Sequence, residues 1–305
     1  MGLREAHEAM RGKVAVVVGG AAGHIGRGVT LGLVREGVRV ICCDNDRAGL
    51  EAILPEAEAL GGTVDAVYAD VADPASLDAF YDHVETVTDH IDILVNVPGG
   101  VARSLFDRTT RESRARDIRL NYGYVVDSCH RAIPLLRRSG ANDGKKGGSI
   151  VNFTTIEAHR GAATFAVYAG AKAATTNFSR ALAVELGADM IRVNCLASDT
   201  SPARASNAAL ANEDFERLAA LGPDALGKSI EFYVPQKRPP TVEEVVDGVI
   251  FLVSDLSRTV TGTTLHVDGG TWAAFGFLDW PEGDSFMPAP LGGTLRLLQS
   301  GSDAG

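Results

Sequence analysis

The stretch Val14-Ala15-Val16-Val17-Val18-Gly19-Gly20-Ala21-Ala22-Gly23-His24-Ile25-Gly26-Arg27 decides how this chain reads. Five aliphatic residues in a row, with no polar alternation, mark a strand covered on both faces. Four glycines follow within eight residues, directly before a helical pattern over 25–35. Small residues let the backbone turn sharply and approach a pyrophosphate, whose charge is favoured at a helix N-terminus. Glycine clusters are common, so position carries the meaning: this one joins the first strand to a helix. Gly20, Gly23, His24, Ile25 and Gly26 are therefore expected to meet a dinucleotide, although a histidine at a helix start can equally point to solvent.

The same rhythm continues outward from this turn. Val/Ile-rich runs at 14–19, 38–43, 63–69, 91–97, 149–153, 192–196 and 263–267 read as strands. Helical patterns at 25–35, 46–60, 74–88, 112–138, 164–186 and 242–256 lie between them. The alternation predicts an α/β fold, a Rossmann-type doubly wound parallel sheet of about seven strands with helices on both faces. Residues 1–270 read as a single domain, with 200–240 as an Ala- and Pro-punctuated insertion expected to form a substrate lid. Residues 271–305 follow as irregular chain. Trp272, Phe275, Phe277, Trp280, Phe286 and Met287 make that tail too apolar to lie free in water. It is expected at a subunit interface or over the pocket.

Composition narrows the function class. Hydrophobic residues make up 45% of 305 and aromatics 6%, with 34 glycines against 12 prolines, which argues against disorder. A formal charge of −10 speaks against a nucleic-acid or anionic-membrane surface. Cys42, Cys43, Cys129 and Cys195 fall in apolar runs without metal-ligand spacing, so reduced buried thiols are expected and no metal site is placed. No run approaches the ~20 apolar residues of a membrane span. The charged first eleven residues lack an apolar secretory core. A cytoplasmic location is the expectation.

Two further features point to a nucleotide. Asp44 closes the second strand, 18 residues beyond Gly26, where a carboxylate can accept from both adenosine ribose hydroxyls and repel a 2′-phosphate. NAD is therefore the expected cofactor, with nearby Arg47 able to soften the preference. Asp70 and Val71 suit an adenine contact, or Asp70 a helix cap. Elsewhere, Tyr168 and Lys172 stand four residues apart on one helical face. A fixed cation beside a phenol favours the phenolate and lowers a pKa of ~10 towards useful proton transfer.

With these pieces in place the chain resembles a short-chain dehydrogenase/reductase over roughly residues 12–270. Gly20, Gly23 and Gly26 stand in the family's glycine segment, with His24 replacing its middle glycine. Asn96-Val97-Pro98-Gly99 stands where the family has NNAG, adding Asn96 and Gly99 to the cofactor set. Asn121 matches the asparagine that kinks the long helix and holds a water near the active lysine. Thr155, thirteen residues before Tyr168, falls at the family's catalytic serine. Ser198-Asp199 replaces the usual Pro-Gly, and Thr200 fits a contact to the nicotinamide carboxamide.

The resemblance implies hydride transfer between nicotinamide and a carbinol or carbonyl carbon. Tyr168 is the implied acid–base, Lys172 the ribose anchor, Thr155 the hydrogen-bond partner of the substrate oxygen, and Asn121 part of a proton relay. Glu157, two residues past Thr155, is a candidate substrate contact or a solvated turn. His266 reads as a core histidine. A hydrophobic or cyclic secondary alcohol or ketone is the expected substrate, and a homodimer or homotetramer the expected assembly. A 3-oxoacyl-thioester reductase and a non-catalytic dinucleotide sensor of the same fold are the alternatives.

Overall fold

In the computed structural model, which describes residues 2–101, 103–139, 147–199, 220, 225–279 and 285–288, the quoted valine run is β1 (Val14–Val18) at the centre of a sheet. The other strands are β2 (Arg39–Asp44), β3 (Val64–Tyr68), β4 (Ile93–Asn96), β5 (Ser149–Thr155), β6 (Arg192–Ser198) and β7 (Thr264–Val267). They pair in parallel in the order β3-β2-β1-β4-β5-β6-β7. This is the doubly wound, Rossmann-type sheet that the sequence predicts.

Alternate side chains of β1 supply two cores. Val14, Val16 and Val18 pack with α4 (Pro74–Val87), α6 (Tyr124–Leu136) and α7 (Ala166–Glu185) on one face. Ala15 and Val17 pack with α2 (His24–Arg35), α3 (Arg47–Ala59) and α9 (Val242–Val253) on the other. Period-2 alternation in a strand buried on both sides makes every residue apolar, which is why the run shows no polar spacing. Strand order reverses between β1 and β4. That switch point leaves a crevice at the carboxyl ends of the strands, where ligands bind in this architecture.

The helix expected over 112–138 is not continuous. α5 (Arg111–Ile118) passes into a π-helical turn, Arg119–Gly123, before α6 begins. Asn121 sits in that turn, fully buried, and its Nδ2 donates to Asp117 O at 2.9 Å and Gly100 O at 2.8 Å. An amide that bonds its own helix and a neighbouring loop holds the extra residue in place.

Among the described residues, the segment beyond β7 is more ordered than irregular chain. It forms α10 (Thr271–Ala274) and a small antiparallel pair, β8 (Leu278–Asp279) with β9 (Phe286–Met287). The Trp272 ring stacks on His266, centroids 5.1 Å apart, and meets His159 at 5.0 Å. β8 packs against α8 (Ala225–Tyr233), which lies within the expected lid. Residues 200–219 and 221–224 of the expected lid, and Trp280 in the tail, lie outside the described residues. A short helix, α1 (Leu3–Glu8), precedes the sheet. Among the described residues no helix is long and apolar enough to cross a membrane.

Candidate active site

At the switch point a cavity of about 490 Å³ opens between the glycine turn after β1 and the loop after β4. Its size falls in the range of small-molecule and cofactor sites. Gly23, His24, Ile25 and Gly26 line it, with His24 as the first residue of α2. A Cβ at Gly26 would stand 1.9 Å from Gly19 O, so only glycine lets helix and turn meet there. The free N–H groups at the start of α2 therefore reach the cavity unobstructed, which suits an anionic pyrophosphate. Gly20 faces away from it: a Cβ there would strike Thr30 Oγ1 at 2.7 Å. This glycine packs the turn rather than lining the cavity.

Asp44 lines the cavity at the end of β2 and is almost fully buried. Its Oδ2 accepts from Ala21 N (3.1 Å) and Ala22 N (2.8 Å), and its Oδ1 from Asp46 N (3.2 Å). A carboxylate has about four acceptor positions, so capacity remains for a ribose hydroxyl. The sequence reading gave Asp44 a ligand role alone; it also clamps the glycine turn. The Arg47 guanidinium lies over the Tyr68 ring, 4.0 Å from its centroid. Asp70 and Val71 are on the wall. Asp70 Oδ1 accepts from Ala72 N in a local turn, while Asp73 caps α4, so Asp70 is not the helix cap.

Beyond β4 the two NNAG-like residues part company. Gly99 lines the cavity, and a Cβ on it would come within 2.7 Å of Lys172 Nζ and 3.0 Å of Asn121 Oδ1. Asn96 does not reach the cavity. It is fully buried, donating to Asn152 Oδ1 at 2.8 Å and accepting from Ser128 Oγ at 2.7 Å. Ser128 also bonds Tyr81 OH, and Asn152 bonds Ser179 Oγ, so Asn96 joins a polar chain through the core. Its buried amide is satisfied there, and a cofactor contact would break that chain. Thr200, expected at the carboxamide, lies outside the described residues.

Tyr168, near the start of α7, is on the cavity wall, and its hydroxyl is hydrogen-bonded with Thr155 at the end of β5. Burial pushes the phenol up to about 12; Thr155 opposes the shift, and the Glu157 and Asp199 carboxylates add to it. Lys172, one turn along, is buried, with Nζ donating to Phe153 O at 2.9 Å and Pro98 O at 3.4 Å. Burial lowers its pKa to about 8. The expectation that the ammonium depresses the tyrosine pKa is therefore corrected. In this structure the cation is turned onto two backbone carbonyls, and the charges bearing on the phenol are negative.

A second cluster borders Thr155. Thr155 Oγ1 donates to Glu157 Oε2, and Arg160 Nη2 donates to Glu157 Oε1 at 2.8 Å and to Tyr233 OH at 2.6 Å. Tyr233 OH in turn donates to Asp199 Oδ2 at 2.5 Å. Glu157 is thus no solvated turn residue. Arg160 and Tyr233 went unmarked in the sequence, and Asp199 was marked only as part of the Ser198-Asp199 departure. Asp199 offered a signal as an acidic residue at the end of β6, but Tyr233 arrives on α8 from 34 residues further on. His266 stacks on Trp272, His159 packs against both rings at a tilt, and burial lowers both imidazoles.

Comparison with known proteins agrees with this geometry. A family model described as enoyl-(acyl carrier protein) reductase matches residues 20–271. The chain is 32% identical over 264 residues to a 3-oxoacyl-[acyl-carrier-protein] reductase FabG of Chlamydia trachomatis, covering 85% of this chain and 96% of that one. Among solved structures it is similar to a Pseudomonas aeruginosa RhlG/NADP active-site complex (TM-score 0.75, 26% identity, 88% of this chain and 99% of that one). It is similar also to a 7α-hydroxysteroid dehydrogenase complexed with NADH and 7-oxo glycochenodeoxycholic acid (TM-score 0.76, 25% identity, 88% and 98%).

Proposed function

The chain belongs to the short-chain dehydrogenases/reductases, a family of oxidoreductases, and from that premise we propose that it is an NAD-dependent enzyme interconverting a secondary alcohol and its ketone. The observation that carries this reading is Tyr168, partnered by Thr155, on the wall of the cavity that Asp44 also lines. Bound in that cavity, a nicotinamide dinucleotide would accept or donate the hydride. The chain's own residues handle the proton. In reduction, Tyr168 as a phenol donates its proton to the carbonyl oxygen as the carbon accepts hydride. In oxidation, its phenolate takes the hydroxyl proton.

Thr155 holds the substrate oxygen beside Tyr168, and orientation of this kind lowers the barrier by removing the search for alignment. Lys172, with Gly99 packed against it, would donate to the ribose hydroxyls in exchange for its backbone carbonyls. Asn121 fixes the loop carrying Gly100 through both its oxygen and its nitrogen. Asp44 supports NAD over NADP, since a 2′-phosphate would meet a buried carboxylate already held by the turn. A ring-bearing substrate is supported by likeness to the hydroxysteroid dehydrogenase. The similarity to a 3-oxoacyl-thioester reductase favours a second reading, acyl-thioester reduction.

A turnover screen decides among these. Secondary alcohols, ketones and a 3-oxoacyl thioester are assayed by NADH or NADPH absorbance with wild type and Tyr168→Phe. The expected result is NAD(H)-linked turnover that Tyr168→Phe lowers by ~10²–10⁴ while NADH still binds. An NADPH preference would overturn the role of Asp44. Full activity in Tyr168→Phe would overturn the mechanism.

A further inference from the structure

We propose that Glu157 makes this site select substrates bearing a hydroxyl on the carbon next to the reacting carbinol, that is, vicinal diols and the corresponding α-hydroxy ketones. The inference rests on the oxidoreductase reading and names the substrate class of the same site. It starts from the one proton on Thr155. That proton is donated to Glu157 Oε2, and a carboxylate can only accept, so the hydroxyl and the carboxylate are tied side by side.

Glu157 itself is held rather than mobile. Arg160 fixes its other oxygen at 2.8 Å, and Arg160 is braced by Tyr233, which is bonded to Asp199. Its side chain is only 13% exposed. Among the described residues Thr155 and Arg160 are the two side-chain donors to this carboxylate, leaving about two of its four acceptor positions open. Glu157 and Asp199 are both negative, and Arg160 lies between them. Glu157 is joined to Thr155, and both carboxylates raise the Tyr168 pKa.

A wall of this kind discriminates. An apolar substrate would strip water from Glu157 and give no donor in return, which costs free energy. An anionic substrate would meet like charge. A neutral hydroxyl adjacent to the reacting carbon supplies the missing donor. Thr155 and Glu157 are hydrogen-bonded neighbours, so their oxygens stand one hydrogen-bond length apart. Vicinal oxygens in a gauche arrangement have a similar separation, so one fits against Thr155 and Tyr168 while the other donates to Glu157.

The test uses the full chain with NAD and paired substrates: cyclohexanol against its cis-vicinal diol, and indanol against indanediol, followed as NADH absorbance. A hydrogen bond to a charged group supports a preference in kcat/KM of about ten- to a hundred-fold for the diol of each pair. Glu157→Gln is expected to collapse that preference to within a few-fold, because the diol loses more than the monoalcohol. Equal kcat/KM for both members in wild type, or equal losses for both in Glu157→Gln, would overturn the inference alone. Turnover of neither member by wild type, with NADH still bound in a fluorescence titration, would overturn the oxidoreductase reading and this inference with it. If the variant does not fold, the wild-type preference decides.

Discussion

Lys172 offers a prediction about stability that does not require the substrate. Its side chain is 3% exposed, and burial takes its pKa from 10.5 to about 8. Below pH 8 the lysine is charged in both the folded and unfolded chain, and folding carries the full cost of burying the cation. Between pH 8 and 10.5 the unfolded chain binds a proton that the folded chain does not, so stability rises with pH. Each pH unit is worth about 1.4 kcal/mol, and the window of 2.5 units gives roughly 3 kcal/mol. Lys172→Met removes this dependence. The variant also loses the bonds to Phe153 O and Pro98 O, but that offset is nearly constant with pH. Urea denaturation of wild type and variant from about pH 7 to 10.5 isolates the swing, because the raised thiols of Cys42 and Cys129 contribute equally to both. The wild-type-minus-variant stability is expected to rise by roughly 3 kcal/mol across that window. A flat difference would refute the picture of a desolvated ammonium.

Other outcomes follow from the same geometry. Gly26→Ala sets a methyl 1.9 Å from Gly19 O, so the turn must open; NADH affinity should fall at least a hundred-fold in a fluorescence titration. Asp44→Ala leaves the Ala21 and Ala22 N–H groups without their acceptor, and is expected to cost about 2 kcal/mol in urea unfolding and to relax the preference against NADPH. For alcohol oxidation the phenolate is needed and the Tyr168 pKa lies near 12, so kcat/KM should climb with pH throughout the alkaline range. Glu157→Gln removes one of the carboxylates raising that pKa and should move the climb to lower pH; an unmoved profile would show that the carboxylate does not act on the phenol.

Local chemistry was legible where it depends on neighbours along the chain. The unbroken apolar run of β1, the glycine spacing and the one-turn separation of Tyr168 and Lys172 each act through backbone geometry that the sequence itself dictates. The seven-stranded sheet followed from the repetition of those patterns, and Gly26 from the closeness that a strand–turn–helix imposes. Side-chain direction was not legible. Asn96 and Gly99 are three residues apart, yet one is spent in a buried polar chain and the other lines the cavity. A strand residue and a loop residue face different surroundings, and only the packed partners reveal which.

The sign of the field at Tyr168 belongs to the same class. Four-residue spacing guarantees that Lys172 lies on the same helical face, but not that its ammonium points at the phenol. Pro98 O and Phe153 O, from two other segments, draw it away. Glu157, Asp199 and Tyr233 converge on the other side from three separate elements. The sequence by itself determined the fold, the dinucleotide turn and the candidate acid–base, because each is written in short-range spacing. The tertiary structure alone decided the electrostatics around that acid–base, because those charges meet only when β5, β6 and α8 are packed together.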